Sequence, residues 1–580
     1  MIEILRRFGP ASVKRWKTDS FSLTTPAVLY VHSGGHKSPE WADCILSDGS
    51  FKGEGKCVIN MSGSPFFPVD SGGFSIPPFE KRPADLPLNP PFYENEYAAV
   101  VYDPKKAPLD KEMYVIPDAW RLFQEPEGLL SFVSSLRERV GNLPMIYAPG
   151  VALPNRIPFL IYTGIDLLDN TLVNLYSHSG RMLHSEGYSD FREGLCHCEH
   201  CANGDIHGHN NLTAEEQVSF TRMAVENGSL RELVELRGST SAELVAGLRI
   251  MDSSFYPYQE SGFPVTGGKV RAYTQQSLTR PDIVRFQRRV KERYIPPERR
   301  ILLLLPCSAK KPYSSSRSHR RFAEAIESSG MKGAVHEVII TSPMGLVPRE
   351  LETYHPASAY DIPVTGDWTH EEKEISISLL KGMMKAGSYD HVLIHLAYEF
   401  IAEEIEGTLT VEDGRPTSGE SLSLLTKALR ELKRGARIQG RKEYAAANML
   451  SRASFQFGKE GARNLMEGTS VKGRYPFLKI IGPDGRQRGM LTDKGMISLT
   501  LDGARALLDA GAYTVEIQDF EISGSIFAVG IDSATPDIRI GDEVVVAHKG
   551  EIRGVGTALM NGRDMAEGKR GAAVRMRHHV

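Results

Sequence analysis

The sequence predicts an α/β multidomain chain, and three observations carry that prediction. Apolar runs followed by polar turns recur up to about residue 275, strands alternate with helices from residue 301 to 396, and short strands with glycine turns fill the stretch from about residue 497. The first pattern is compatible with a β/α barrel, whose functional loops follow its strands. The second belongs to a doubly wound parallel sheet, and the third to a small β-rich domain. With 580 residues the chain has length for several hydrophobic cores. Its 41% apolar and 24% charged residues and formal net charge of −3 are those of an ordinary globular protein, so overall charge announces no nucleic-acid partner. No apolar run approaches the ~18 residues that span a membrane, and residues 1–20 lack a signal-peptide pattern. A cytoplasmic protein with no membrane partner is the expectation.

Each element has its own signal. In the first part "AVLYV" (27–31), "YAAVVY" (97–102), "PMIYA" (144–148) and "FLIYTGIDLLD" (159–169) read as buried strands leading into loops. Residues 213–236 read as two helices, with Thr213 as N-cap and Gly228 as the break. A basic helix within residues 274–300 ends at Pro296 and Pro297 and marks a domain boundary. Then come a strand (301–306), a helix (318–330), a strand (335–342), a helix (370–387) and a strand (391–396). Residues 417–435 form a capped helix with a basic last turn and a terminal glycine. The expected domains are therefore 1–275, 276–425, a small connecting domain associated with RNA binding at 426–496, and 497–580.

Three of the six cysteines, Cys196, Cys198 and Cys201, crowd into "CHCEHC". In a reducing compartment that spacing points to metal rather than disulfides. Three thiolates and an imidazole make a closed tetrahedral Zn²⁺ site of the structural type. His197, His200, His207 and His209 all lie near enough to supply the fourth ligand. The plainer alternative is a set of free thiols on a loop.

This C-x-C-x2-C pattern, followed by His209-Asn210, a helix and "GSLRELVELR", resembles the zinc region of the tRNA-guanine transglycosylases. "DSGGF" (70–74) is similar to that family's Asp-Ser-Gly-Gly-Phe loop, and "GIDLLD" (164–169) to the strand end carrying its nucleophile. Over about the first 240 residues the resemblance implies a (β/α)8 barrel with a zinc subdomain, a tRNA substrate and a homodimer formed near the zinc region. It implies His209 as the fourth ligand of a structural Zn²⁺. It also implies Asp169 as the nucleophile on the ribose and Asp70 as the general base. Without the family, Asp70 caps a glycine turn and Asp166 or Asp169 fixes a loop. The chain departs from the family at "IYAPGVALPN" (146–155), where a Val-Gln-Gly-Gly type loop would bond the purine edge. A barrel that holds tRNA without exchanging its base is therefore expected, with Asp103 as a candidate base-reading carboxylate.

A second polar cluster follows the apolar run 301–306: "PCSAKKPYSSSRSH" (306–319). In an open α/β sheet, ligands bind beyond the carboxyl ends of the strands. Cys307 and Ser308, then Thr341 and Ser342, then His395 and Glu399 should therefore converge on one rim. Lys310, Lys311 and His319 near Cys307 would favour its thiolate. Lys311 or His319 would handle protons, and Tyr313, Ser314 and Ser318 would orient a substrate. The plainer alternative is a strand-end cysteine beside capping serines. Together with "TSPMGLVPRELETYHP" (341–356) and "YDIPVTGDW" (360–368), the stretch resembles the archaeosine synthases, a divergent archaeal branch of the transglycosylase family. The resemblance then covers essentially the whole chain. It implies tRNA carrying 7-cyano-7-deazaguanine in the D-arm as substrate, lysine as the amine donor added across the nitrile, and a radical-SAM partner that cleaves the adduct. Cys307 would either add to the nitrile or line the site while the amine adds directly. Two rivals are an active transglycosylase using Asp169 and Asp70 and a non-enzymatic tRNA-binding subunit.

Residues 497–580 resemble a PUA domain, a small RNA-binding β-barrel. Residues 549–580 hold seven Lys or Arg against three acids. Lys549, Arg553, Lys569, Arg570, Arg575 and Arg577 are the candidates to grip phosphates, with salt-dependent binding. A solvated charged face is the plainer alternative.

Overall fold

The structure, a computed structural model, describes residues 2–17, 21–32, 37–47, 51, 56–60, 98–568 and 570–580. Asp70, with all of residues 70–74, and Lys569 lie outside the described residues. The chain divides into two compact units, Met1–Phe263 with Glu567–Gly571 and Pro264–Ala566 with Ala572–Val580.

The first unit opens with an antiparallel sheet of Ile2–Phe8, Ala11–Lys17 and Ser22–Thr25. A seven-stranded parallel sheet follows. Its spatial order is Cys57–Asn60, Cys44–Ser47, Ala27–His32, Leu167–Asp169, Met145–Tyr147, Met113–Val115 and Ala98–Val100. The last of these strands in the chain pairs with the first, and the order steps outward through the sequence on both sides. This cyclic order makes a parallel half-barrel. Its strands are short and buried, so they read as continuous apolar runs rather than alternating ones.

Two expectations fail here for local reasons. "FLIY" is not strand: Ile157–Tyr162 is a helix with all six residues buried and Pro158 in its first turn. Proline suits a helix start, and an apolar run alone does not tell a buried helix from a strand. Only Leu167–Asp169 of that stretch is extended. Thr213 is not an N-cap either. The helix begins earlier, at Ile206–Asn227, and Asp205 caps it by accepting from the Gly208 N–H at 2.8 Å. The Thr213 hydroxyl donates instead to the His209 carbonyl one turn back, at 2.9 Å. Gly228 does end the helix, with φ of 71°, and Leu230–Gly238 follows.

The second unit is built on a five-stranded sheet. Its order is Gly345–Pro348, Val335–Thr341, Ile301–Pro306, His391–Ile394 and Thr408–Leu409, with all neighbours parallel except the first pair. Ile301–Pro306 comes first in the sequence and lies in the middle, so the chain leaves its two sides in opposite directions. That is a topological switch point, with a crevice beyond its carboxyl end. Leu302 to Leu305 are completely buried. The helices Arg317–Ser329, His370–Ala386 and Gly419–Glu431 accompany the sheet. The expected boundary at 425 falls inside Gly419–Glu431, whose Leu425 and Leu429 both pack in this core.

The helix Arg441–Met466, interrupted at Gly458, leads into an antiparallel sheet of Ser470–Arg474, Phe477–Ile481, Gln487–Leu491 and Ile497–Leu499. Strand structure thus begins at Ser470, earlier than the expected 497. Charged residues and glycine along these strands hide them from a propensity reading. After the helix Leu501–Asp509 comes a six-stranded sheet in the order Ile526–Phe527, Ala572–His579, Glu551–Ala558, Glu543–His548, Thr514–Ile517 and Ile531–Ala534. Among the described residues no helix is long and apolar enough to cross a membrane.

Candidate functional site

The cysteine cluster closes as its spacing suggests. The ligand atoms of Cys196, Cys198, Cys201 and His209 all lie within 4.8 Å of one another. Backbone N–H groups shape it: Cys198 N–H points at the Cys196 sulfur at 3.5 Å and Cys201 N–H at the Cys198 sulfur at 3.4 Å. His209, in the first turn of its helix, holds Nδ1 3.5 Å from the Cys198 Sγ, while Nε2 donates to the Leu183 carbonyl at 3.0 Å. That second bond leaves Nδ1 unprotonated, the form that binds a metal. A tetrahedral ion with ordinary Zn–S and Zn–N bonds needs donors about 3.6 Å apart, so the donor set fits such an ion. Asn210 ties this turn to the hairpin Arg181–His184 and Gly187–Asp190, accepting from Leu183 N–H at 2.7 Å and donating to the Arg181 carbonyl at 2.8 Å. His197, His200 and His207 stay outside the cluster; His200 bonds Asp205 at 2.9 Å.

At the carboxyl end of Leu167–Asp169 the Asp169 carboxylate is fully enclosed, with 0% exposure. One oxygen accepts from the Tyr147 hydroxyl at 2.7 Å and the Gly150 N–H at 2.9 Å, and the other from the Thr171 N–H at 2.8 Å. Tyr147 and Gly150 belong to "IYAPGVALPN", every residue of which is buried. The loop that departs from the transglycosylase pattern thus closes over the carboxylate. A nucleophile must meet its substrate, and among the described residues the Asp169 carboxylate is bonded by its own scaffold. Asp166 is likewise spent on Lys14 at 2.8 Å and Arg137 at 2.5 Å. Burial and the adjacent Arg137 push the Lys14 amine down to about 7. Asp103 caps the short helix Pro104–Lys106.

The rim of the second unit is different. Cys307 is half-buried at the carboxyl end of the central strand, with its Sγ 3.9 Å from the Tyr398 hydroxyl. The Lys311 amine stands 3.9 Å over the Tyr360 ring. Burial lowers its pKa, partly opposed by Cys307 and Asp361. Beneath it the Tyr313 hydroxyl bonds that of Tyr360 at 2.5 Å, and Tyr360 bonds Thr341. Burial holds the Tyr313, Tyr360 and Tyr398 phenols well above their usual range, so all three stay protonated. Trp368, Tyr398 and Phe400 form a half-exposed aromatic wall beside Cys307, with Trp368 5.1 Å from each of the other two rings. Asp361 accepts from Lys269 at 2.8 Å and Tyr273 at 3.2 Å.

Several expected roles need correction. His319 is 1% exposed and accepts from Arg349 through Nδ1 at 2.8 Å. Burial, then Arg349, push it down to about 2, so it stays neutral and cannot shuttle protons near pH 7. Tyr313 is buried and supports Tyr360 rather than facing a substrate. Ser318 bonds Ser316, the helix N-cap, at 3.2 Å. Ser314 is exposed, and its N–H donates to Glu352 at 2.9 Å. Arg349 joins Glu337, Glu352 and His319 under this turn. His395 is buried against Thr410 and the Pro416 carbonyl, Ser342 bonds Glu372 at 2.5 Å, and Glu399 is exposed at a helix start. Tyr398, not His395 or Glu399, reaches Cys307. Tyr360 and Trp368 lie in the stretch 360–368 that carries the resemblance, but no spacing in the sequence gives them, Tyr398 or Phe400 a place beside Cys307.

In the terminal sheet Lys549 and Arg575 are exposed. Arg577 is exposed but paired inside the domain: its guanidinium forks onto the buried Glu543 carboxylate and donates to the Leu499 carbonyl at 2.8 Å. Arg553 pairs with Asp519 at 3.2 Å, and Arg570 is exposed.

Residues 508–580 match the PUA domain family, and residues 283–429 match a domain family of unknown function, DUF5591. The chain is 35% identical to the archaeosine synthase subunit alpha of Methanosarcina acetivorans, over 80% of this chain and 79% of that one. It is 33% identical to the archaeosine synthase of Haloferax volcanii, over 83% and 84%. A more distant relative, at 27%, is the tRNA-guanine(15) transglycosylase of Methanothermobacter thermautotrophicus, over 80% and 70%. Among solved structures, AF0587, a protein of unknown function, is 30% identical, covers 51% of this chain and 99% of its own, and aligns with a TM-score of 0.40.

Proposed function

Because the chain belongs to the archaeosine synthase family, we propose that it modifies tRNA by adding an amine, lysine, across the nitrile of 7-cyano-7-deazaguanine in the D-arm. The observation that carries this reading is the rim at the switch point. A half-exposed thiol, a lysine with a lowered pKa and protonated phenols gather there, whereas Asp166 and Asp169 of the first unit are buried and satisfied.

The chemistry balances without a leaving group from the base. The Cys307 thiolate adds to the nitrile carbon, and the nitrile nitrogen takes a proton, giving a thioimidate. The lysine amine then attacks the same carbon, the C–S bond breaks, and the thiolate is regenerated. The product is an amidine heavier than the substrate base by one whole lysine. Lys311, whose burial favours the neutral amine, takes a proton from the incoming ammonium and returns it to nitrogen. Tyr398 donates a hydrogen bond toward the developing thioimidate nitrogen. Trp368 and Phe400 give the base a face on which to stack. In the direct variant the amine adds without the thioimidate, and Cys307 only lines the site.

In the same reading the half-barrel belongs to a (β/α)8 barrel that holds tRNA. Cys196, Cys198, Cys201 and His209 hold a structural Zn²⁺, which clamps the helix Ile206–Asn227 to its hairpin. The terminal PUA domain grips RNA through Lys549 and Arg575. Relatives named subunit alpha fit the idea of a companion enzyme that consumes the adduct. The test is nucleoside mass spectrometry of 7-cyano-7-deazaguanine tRNA incubated with the pure protein and lysine. A mass gain of one lysine supports the reading. Guanine exchange on unmodified tRNA, with no adduct, would return the chemistry to Asp169.

A further inference from the structure

We propose that the outer face of the strand pair Ser470–Arg474 and Phe477–Ile481 is an RNA-contacting surface of its own, taking an unstacked nucleotide and its flanking phosphates. The inference rests on the reading that the chain acts on tRNA, and it adds a contact outside both the rim and the terminal sheet.

Side chains alternate across a strand. On the inner face Val471, Leu478 and Ile480 pack into the core shared by the long helix and the terminal sheets. On the outer face stand Lys472, Arg474, Phe477 and Lys479. The register sets Lys472 directly opposite Lys479, and Arg474 opposite Phe477. Like charges directly opposed on a sheet destabilise it. Among the described residues none of these three cations has an ion pair, and residues 470–481 contain no acid. The nearest flanking acid after the pair, Asp484, is occupied in its own turn, accepting from the Arg486 N–H at 3.0 Å.

The apolar side is equally costly. Phe477 is 56% exposed and Tyr475, in the turn, 50%. Two exposed aromatics interleaved with three unpaired cations make a poor surface in water. They make a good one for RNA: phosphates relieve the lysine repulsion, and a splayed base stacks on an aromatic face. An acidic protein segment would meet the cations but would leave both rings without a planar partner.

The test compares tRNA binding by the full chain with Phe477→Ala, Phe477→Trp and the double change Lys472→Ala, Lys479→Ala, each across a range of salt. Phe477→Ala should weaken binding on the order of tenfold with little change in salt slope, and Phe477→Trp should restore it. The double lysine change should reduce the slope by about 1.5, since each phosphate contact contributes about 0.7–0.9, and should not lower the melting temperature. In the lysine-addition assay Phe477→Ala should raise KM for tRNA and leave kcat within twofold. Unchanged affinity and slope in both variants would overturn the surface, whatever the adduct assay gives. Hairpin-dependent tRNA binding by a wild-type protein that forms no adduct would support the surface while overturning the proposed reaction.

Discussion

Two clusters of polar residues sit at the ends of parallel strands in this chain, and they end differently. In the first unit Asp169 is surrounded by the Tyr147 hydroxyl and two backbone N–H groups, and Asp166 by Lys14 and Arg137. In the second, Cys307 is half-exposed, with one phenol 3.9 Å from its sulfur and the Lys311 amine over the neighbouring Tyr360 ring. Strand-end position alone does not make a residue a reagent. A carboxylate whose lone pairs are filled by its own scaffold is a strut. A thiol left facing an aromatic wall can react.

The comparison can be broken from either side, and the largest effect expected is on the first unit. Cys198→Ser should remove one equivalent of bound zinc per chain, read by metal analysis. It should also unfold the helix Ile206–Asn227 from its hairpin, read by hydrogen exchange, because structural zinc contributes about 10 kcal/mol or more to such a subdomain. Retained zinc would show that the cluster is not the ligand set. On the other side, Lys311→Met should slow lysine addition by about 10²–10⁴-fold. It should also abolish a pH-rate limb lying below the ordinary lysine value of 10.5. A full rate in this variant would return Lys311 to a packing role over Tyr360.

A smaller effect tests the strut directly. Asp169→Asn keeps the shape but cannot accept all three hydrogen bonds, so it should destabilise the first unit by about 1–3 kcal/mol. Lysine addition at saturating tRNA should survive wherever the protein remains folded. Loss of addition by a fully folded Asp169→Asn protein would make that carboxylate a participant. The smallest effect at neutral pH concerns His319, and it grows in acid. The unfolded chain binds a proton near pH 6.5 that the folded chain does not take up until about 2. Stability is therefore lost as pH falls below 6.5, by about 1.4 kcal/mol per pH unit from this one group. His319→Gln, which still accepts from Arg349, should flatten the acid side of the melting-temperature profile. An unchanged profile would show that His319 titrates normally and so lies nearer solvent.

The parts of the fold legible in the sequence are those whose signal is local. "ILLLLP" is a continuous apolar run because both of its faces are covered, and "CHCEHC" carries its ligand spacing within six residues. The parts that were not legible depend on distant partners. Asp169 keeps the family motif, and only the packing of Tyr147 and Gly150 from another strand shows that it is enclosed. His319 and His395 look reactive in a string of polar residues, yet Arg349, Thr410 and Pro416 bury them as neutral fasteners. Tyr398 lies far along the chain from Cys307, and only the switch-point topology brings the two together. Arg577 has the composition of a phosphate ligand, and only the structure shows that Glu543 pairs with it.

The central claim is that the chemistry lies at Cys307 and not at Asp169. The most direct measurement is intact-nucleoside mass spectrometry of 7-cyano-7-deazaguanine tRNA after incubation with lysine and either wild-type protein, Cys307→Ala or Asp169→Asn. The predicted result is a gain of one lysine mass with wild type and with folded Asp169→Asn, and none with Cys307→Ala. A full gain with Cys307→Ala, together with none from a folded Asp169→Asn, would contradict it.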